Sequence, residues 1–224
     1  MKKNNFLSKA LLLGVFCLPM VFTACSDNDE VDSGESSRVK IVNASEASTP
    51  QDFYLNDRKV NSSAIAYRNS SEGYVTTKSG NDQEAEFRTS GSVTASSEVD
   101  LKGDKNYTFF LHGQGTATRI LTTEDDLTAP AEGKAKIRFV HLSAAANQSV
   151  DINIGGTKLV SGLNANSTTN FMPIDGGLHL FSVLAAGSNS NPIELNLSAL
   201  SAGRIYTVVI SGSSNVSATL FTDN

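Results

Sequence analysis

The sequence predicts an all-β protein, two tandem immunoglobulin-like antiparallel β-sandwiches behind an N-terminal export segment and a flexible tether. Three observations predict it. Two stretches of the chain repeat one another at an offset of 98 or 99 residues, which is the size of one sandwich domain and far too long for a solenoid unit. Short runs rich in Val, Ile, Phe and Tyr recur from Arg38 onward, divided by Gly, Asn, Asp and Ser, the pattern of strands and turns. No stretch carries a long helical period with caps, and the chain has no tryptophan.

Residues 1–24 read as a secretory signal. Lys2, Lys3 and Lys9 form a positive start, and Ala10 to Phe22 is almost wholly apolar. An export segment of this kind has an apolar run of roughly 7–15 residues, whereas a membrane-spanning helix needs about 20. Pro19 also interrupts a regular helix. The stretch Phe22-Thr23-Ala24-Cys25 resembles the lipobox of bacterial lipoproteins, with Phe22 where that family usually has Leu. The resemblance implies cleavage before Cys25, diacylation of its thiol and acylation of the new amino terminus. Several acyl chains hold firmly where one is marginal, since each buried methylene contributes about 0.8 kcal/mol.

Residues 25–37 read as an acidic, self-repelling tether with Val31 as its one large apolar residue. Its start, Ser26-Asp27-Asn28-Asp29-Glu30, resembles the short acidic export signal of surface lipoproteins in the Bacteroidetes. That resemblance implies an outer-membrane protein displayed on the cell surface. A solvated linker has the same composition.

Removing the signal removes three lysines and no acids, so the formal charge moves from −5 to −8 (−5 minus 3). An acidic chain without a basic stripe argues against nucleic acid or anionic lipid head groups as partners. The membrane is met through the lipid anchor. Cys17 lies in the signal, so acylated Cys25 leaves no free thiol for disulfide, zinc or nucleophilic chemistry.

Repeat 1 is expected over 38–127, a linker over 128–134 and repeat 2 over 135–224. Residues 38–45 match 136–143, 52–60 match 151–159, 106–113 match 205–212, and 121–125 match 220–224. Each copy reads as about seven short strands. In the second they fall near 135–142, 150–154, 158–160, 168–172, 178–184, 193–197, 205–211 and 216–222, one of them a short extra. Ile137, Phe139 and His141 alternate with Arg138, Val140 and Leu142, so one face is core and the other is partly covered. Gly155-Gly156 reads as a hairpin turn, and Asp175-Gly176-Gly177 as another. Thr128 to Gly133 is rich in turn residues, as a linker is.

At these residues the chain resembles a bacterial domain-of-unknown-function family, number 4397. The match rests on Phe139-Val140-His141-Leu142-Ser143, on Val150 to Lys158 and on Ile205-Tyr206-Thr207-Val208-Val209, and it covers nearly all of 135–224. The first copy matches more loosely, with Asn43 where the family often has His. The resemblance implies tandem Ig-like sandwiches on secreted or anchored proteins, and it supplies no catalytic residue and no substrate.

The candidate chemical groups all have structural readings. His141 reads as a hydrogen-bonding strand residue, because Asn43 stands at its place in the first copy. His179 alternates with Leu178 and Leu180 and is expected on the solvent face. The third histidine is His112, and no zinc-ligand spacing joins the three. Asp52 and Asp151 are matched between copies and read as edge residues bonding backbone amides. Hydrolysis would need two facing carboxylates. Glu124, Asp125 and Asp126 read as a solvated linker, too few oxygens for calcium. Tyr107 and Tyr206 fit a tyrosine corner. Tyr54, Tyr67 and Tyr74 are candidates for stacking on sugars.

The expected function is therefore non-enzymatic: a lipid-anchored binding, adhesion or spacer module, with a glycan or protein ligand, no cofactor and no metal. An accessory subunit of an outer-membrane uptake or fimbria-like assembly is the second reading. A carboxylate-based hydrolase is the remote third.

Overall fold

The structure, a computed structural model, describes residues 35–224. The signal, Cys25 and the export run Ser26, Asp27, Asn28, Asp29 and Glu30 lie outside the described residues.

The first copy forms nine strands: β1 (Ser36–Asn43), β2 (Asp52–Leu55), β3 (Arg58–Lys59), β4 (Asn69–Ser70), β5 (Val75–Lys78), β6 (Gly80–Thr89), β7 (Ser92–Leu101), β8 (Asn106–His112) and β9 (Arg119–Glu124). The second copy repeats them as β10 (Lys134–His141), β11 (Val150–Ile154), β12 (Thr157–Leu163), β13 (Ser167–Thr168), β14 (Met172–Asp175), β15 (Phe181–Ala185), β16 (Ile193–Leu195), β17 (Ile205–Ser211) and β18 (Ser217–Thr222). Each copy pairs a five-stranded sheet with a four-stranded one. In the first the orders are β4-β1-β8-β9, with β5 also on β1, and β3-β2-β6-β7. In the second they are β13-β10-β17-β18, with β14 also on β10, and β12-β11-β15-β16.

The count of nine corrects the expected seven. The run 168–172 is two strands, because the chain leaves β10 after Thr168 and rejoins it at Met172. The sandwiches are also not wholly antiparallel. β1 pairs parallel to β8, and β10 parallel to β17. A parallel neighbour needs a long crossover, and each copy supplies it by crossing to its other sheet and back. Strand β1 begins at Ser36, ahead of the expected end of the tether at 37. Ser37 is fully buried, and its hydroxyl donates to the Lys102 carbonyl at 2.8 Å.

Alternation places one side of each central strand in its own core. Val39, Ile41, Phe53, Phe87 and Phe109 fill the first, with Phe53 4.7 Å from Phe109 and 5.0 Å from Phe87 between ring centres. Ile137, Phe139, Ile152, Phe181 and Val208 fill the second. Each fully buried side chain of this size contributes about 1.5–3 kcal/mol. The Gly155-Gly156 hairpin forms as expected, both residues having positive φ (53° and 81°) between paired Ile154 and Thr157.

The strand expected over 178–184 is corrected to Phe181–Ala185. Gly177, at φ 127°, makes a single bridge to Leu200, and the chain then leaves the sheet for three residues. Leu178 and Leu180 are 71% and 70% exposed in consequence.

Candidate functional site

The outer faces of the two five-stranded sheets meet. Val42, Ala44 and Phe110 of the first copy pack with Val140, Leu142, Val209 and Phe221 of the second in a third apolar cluster, separate from the two sandwich cores. This joint explains why β1, β8, β10 and β17 are buried on both sides. The partly covered face expected for Arg138, Val140 and Leu142 is this contact.

Charges cross the joint reciprocally. Arg138 of β10 meets Asp125 of the first copy at 2.5 Å, and Lys40 of β1 meets Asp223 of the second at 2.9 Å. Lys40 and Arg138 occupy matching places, each beside a threonine of the parallel neighbour, Thr108 or Thr207. All four charged side chains are at most 3% exposed. Burial at that depth is tolerable only when the charges are paired and hydrogen-bonded, and each of the four is. Asp125 accepts from Arg138, Thr108, Thr123 and Tyr74. Thr207 accepts from Arg138 Nε at 2.8 Å and donates to Asp223 at 2.6 Å, which links the two pairs. Burial, then the carboxylates of Asp125 and Asp223, pushes the Tyr74 phenol far above its ordinary value. It therefore stays protonated and donates to Asp125 at 2.7 Å. Phe171 covers Arg138 at 4.5 Å, as Tyr74 covers Lys40 at 5.9 Å.

Above the charged layer the rim is polar. Tyr67 bonds Ser211 and Ser217, Arg68 donates to Thr219 and to the Ala218 carbonyl, and the Glu46 carboxylate accepts from Ser213. Beside the rim a cleft of about 750 Å³ opens between the Asn61–Val75 segment and Thr219, Leu220 and Phe221. Its walls carry seven Ser, Thr or Asn side chains against two charged ones, Arg68 and Glu72, so it suits an uncharged polar ligand.

The residues singled out in sequence are dispersed. His141 is fully buried, and its Nε2 donates to the Gln148 carbonyl at 3.0 Å. Burial lowers its pKa. Asn43 does the same work in the first copy, bonding Ser45, Ser48 and Ile65. His112 is buried near Arg119, and burial first, then that charge, lowers its pKa. The solvent-face expectation for His179 is corrected: its leucine neighbours point outward, while it is half-buried, 2.7 Å from the Asp175 carbonyl and against Phe181.

Asp151 accepts from the Gly162 and Gly187 amides and from Lys158. Lys158 first, then the two amides, lowers its pKa to about 2. Asp52 instead pairs with Lys59 at 2.8 Å. The reading of 124–126 as a solvated linker is corrected at Asp125, the buried partner of Arg138. Glu124 pairs with Lys105, and Asp126 with Lys136. Tyr107 and Tyr206 form the expected corners, their hydroxyls accepting from the Lys102 and Ser201 amides at 3.0 and 2.9 Å. Of the three stacking candidates, Tyr67 and Tyr74 belong to the joint, and the Arg88 guanidinium lies 4.4 Å over Tyr54. Among the described residues no three His, Cys, Asp or Glu side chains converge on a metal position.

Sequence reasoning missed the joint. Its signal was present: Lys40 with Arg138, and Asp125 with Asp223, recur at the repeat offset.

The model of a family described as a domain of unknown function, DUF4397, matches residues 37–149 and 144–224. The two matches meet in the loop after β10, whereas the sheets change over between β9 and β10. No curated protein matches the chain. Among solved structures, the chain is similar to CBMbc, a family CBM26 module from Eubacterium rectale Amy13K in complex with maltoheptaose. Identity is 11%, the TM-score is 0.23, and the match covers 84% of this chain and 97% of that one.

Proposed function

We propose a non-enzymatic role at the cell surface for this chain, which belongs to the DUF4397 family by its match over both copies. It is a lipid-anchored binding module held to the outer membrane through Cys25. The observation that supports it best is the joint: four buried charges and an apolar cluster hold the two sandwiches in one arrangement. That is what a fixed display platform needs, and it commits Asp125, Asp223 and Tyr74 to structure. The neutral polar cleft beside the rim is the place for a glycan or an uncharged peptide segment.

The soluble 26–224 fragment is expected to bind saturably on a glycan or host-protein array, and Ser62→Trp, at the cleft wall, to remove that binding. Co-purification with a membrane partner and a blank array would move the reading to an accessory subunit of an envelope assembly. Turnover of a chromogenic sugar panel, abolished by Asp151→Asn, would overturn the non-enzymatic role. The anchor has its own test: Cys25→Ala is expected to abolish fatty-acid labelling and release the chain from membranes.

A further inference from the structure

At one exposed place the two copies differ in a way that concerns apolar side chains. In the first, Gly80 pairs with Leu101 and the ladder resumes at Gln83 and Glu84, through the polar run Asn81-Asp82-Gln83-Glu84. In the second, Gly177 bridges Leu200 and pairing resumes only at Phe181 with Leu195. Between them stands Leu178-His179-Leu180, outside any strand, with both leucines about 70% exposed. One copy shows that the fold accepts polar residues here, so the leucines of the other are not required by folding. Exposed apolar side chains grouped in this way mark a contact surface.

Their position says what they contact. Across the joint, Arg68, level with Asn43, meets Ala218 and Thr219, and Lys40 meets Thr222 and Asp223. Strands β1 and β10 therefore start at the same end of the molecule. The described chain begins at that end, with Ser36 opposite Lys78. Leu178 and Leu180 sit there too: Lys134, the first residue of β10, lies opposite Asp175, and the Leu180 carbonyl accepts from Gly155 in the β11–β12 turn. Cys25 is ten residues before Glu35, a span of at most about 35 Å even when fully extended.

We propose that this end faces the lipid surface and that Leu178 and Leu180 enter its outer leaflet, a second membrane contact beside the acylated Cys25. The inference rests on the anchored reading above. The tether holds the first copy, the leucines hold the second, and together they set the orientation of the platform. The penetration needed is shallow, roughly the 5–10 Å of an interfacial apolar face.

The absence of tryptophan supplies the probe. The chain from Cys25 onward, whose only cysteine is Cys25, is coupled through that thiol to a maleimide-lipid in phosphatidylcholine vesicles. Leu180→Trp is compared with Val93→Trp, which is 52% exposed beside the β6–β7 turn at the opposite end. On coupling, the indole of Leu180→Trp is expected to shift to the blue and to lose about half its emission to brominated acyl chains, as an interfacial side chain does. Val93→Trp is expected to stay as it is uncoupled. An indole at 180 that remains as aqueous as the one at 93 overturns the proposal. Chemical coupling makes this outcome independent of whether cells acylate Cys25, which fatty-acid labelling reads separately.

Discussion

The guanidinium of Arg138, on the second sandwich, meets the carboxylate of Asp125, on the first, at 2.5 Å, with side-chain exposures of 2% and 0%. Removing one partner of such a pair leaves an uncompensated buried charge and costs about 3–5 kcal/mol, whereas replacing both by apolar groups of similar volume is often neutral. Arg138→Ala is therefore expected to lose about that much in urea unfolding. The double variant Arg138→Met/Asp125→Leu is expected to recover most of it. Equal destabilisation by both variants would refute the assignment.

Thr207 makes the two ion pairs one network. Lys40→Ala and Arg138→Ala are expected to be non-additive, with a coupling of about 0.5–3 kcal/mol in a double-mutant cycle. Additivity within error would mean that the Arg138–Thr207–Asp223 chain of bonds carries nothing between them.

The lowered pKa of Asp151 predicts a pH window. Its folded value, about 2, lies below the ordinary 3.8, so the ionised side chain stabilises the fold above the unfolded value. That stabilisation is lost as pH falls through the folded one. The melting temperature of the protein is expected to exceed that of Asp151→Asn above pH 4, and the gap to close between pH 4 and pH 2. A gap independent of pH would show that Lys158 and the two glycine amides do not act through the charge.

The tyrosine corners are equivalent in geometry and are expected to be equivalent in energy. Tyr107→Phe and Tyr206→Phe each leave one backbone amide without its acceptor, at a cost of about 0.5–1.5 kcal/mol. Denaturant titration of both variants checks it, and a tenfold difference in effect on the folding constant would separate the two corners.

How much of this was legible in sequence depends on the range of the interaction. The Gly155-Gly156 hairpin, the corner tyrosines and the alternation of β10 and β11 were readable, because each is a relation between neighbours along the chain. Leu178 and His179 were misplaced for the same reason: alternation assumes that the chain stays in its sheet, and it leaves the sheet after Gly177. Asp125 read as linker because nothing within several residues of it signals burial.

That this is a β protein, that one unit occurs twice, and which side of each strand is core can all be read along the chain, since composition, repetition and period are properties of the linear sequence. It took the folded molecule to bring the two copies face to face, to give Lys40 and Asp125 each a partner in the other copy, and to leave two leucines exposed at the end where β1 begins. Burial of a charge is settled by which surface covers it, and here that surface belongs to the other half of the molecule.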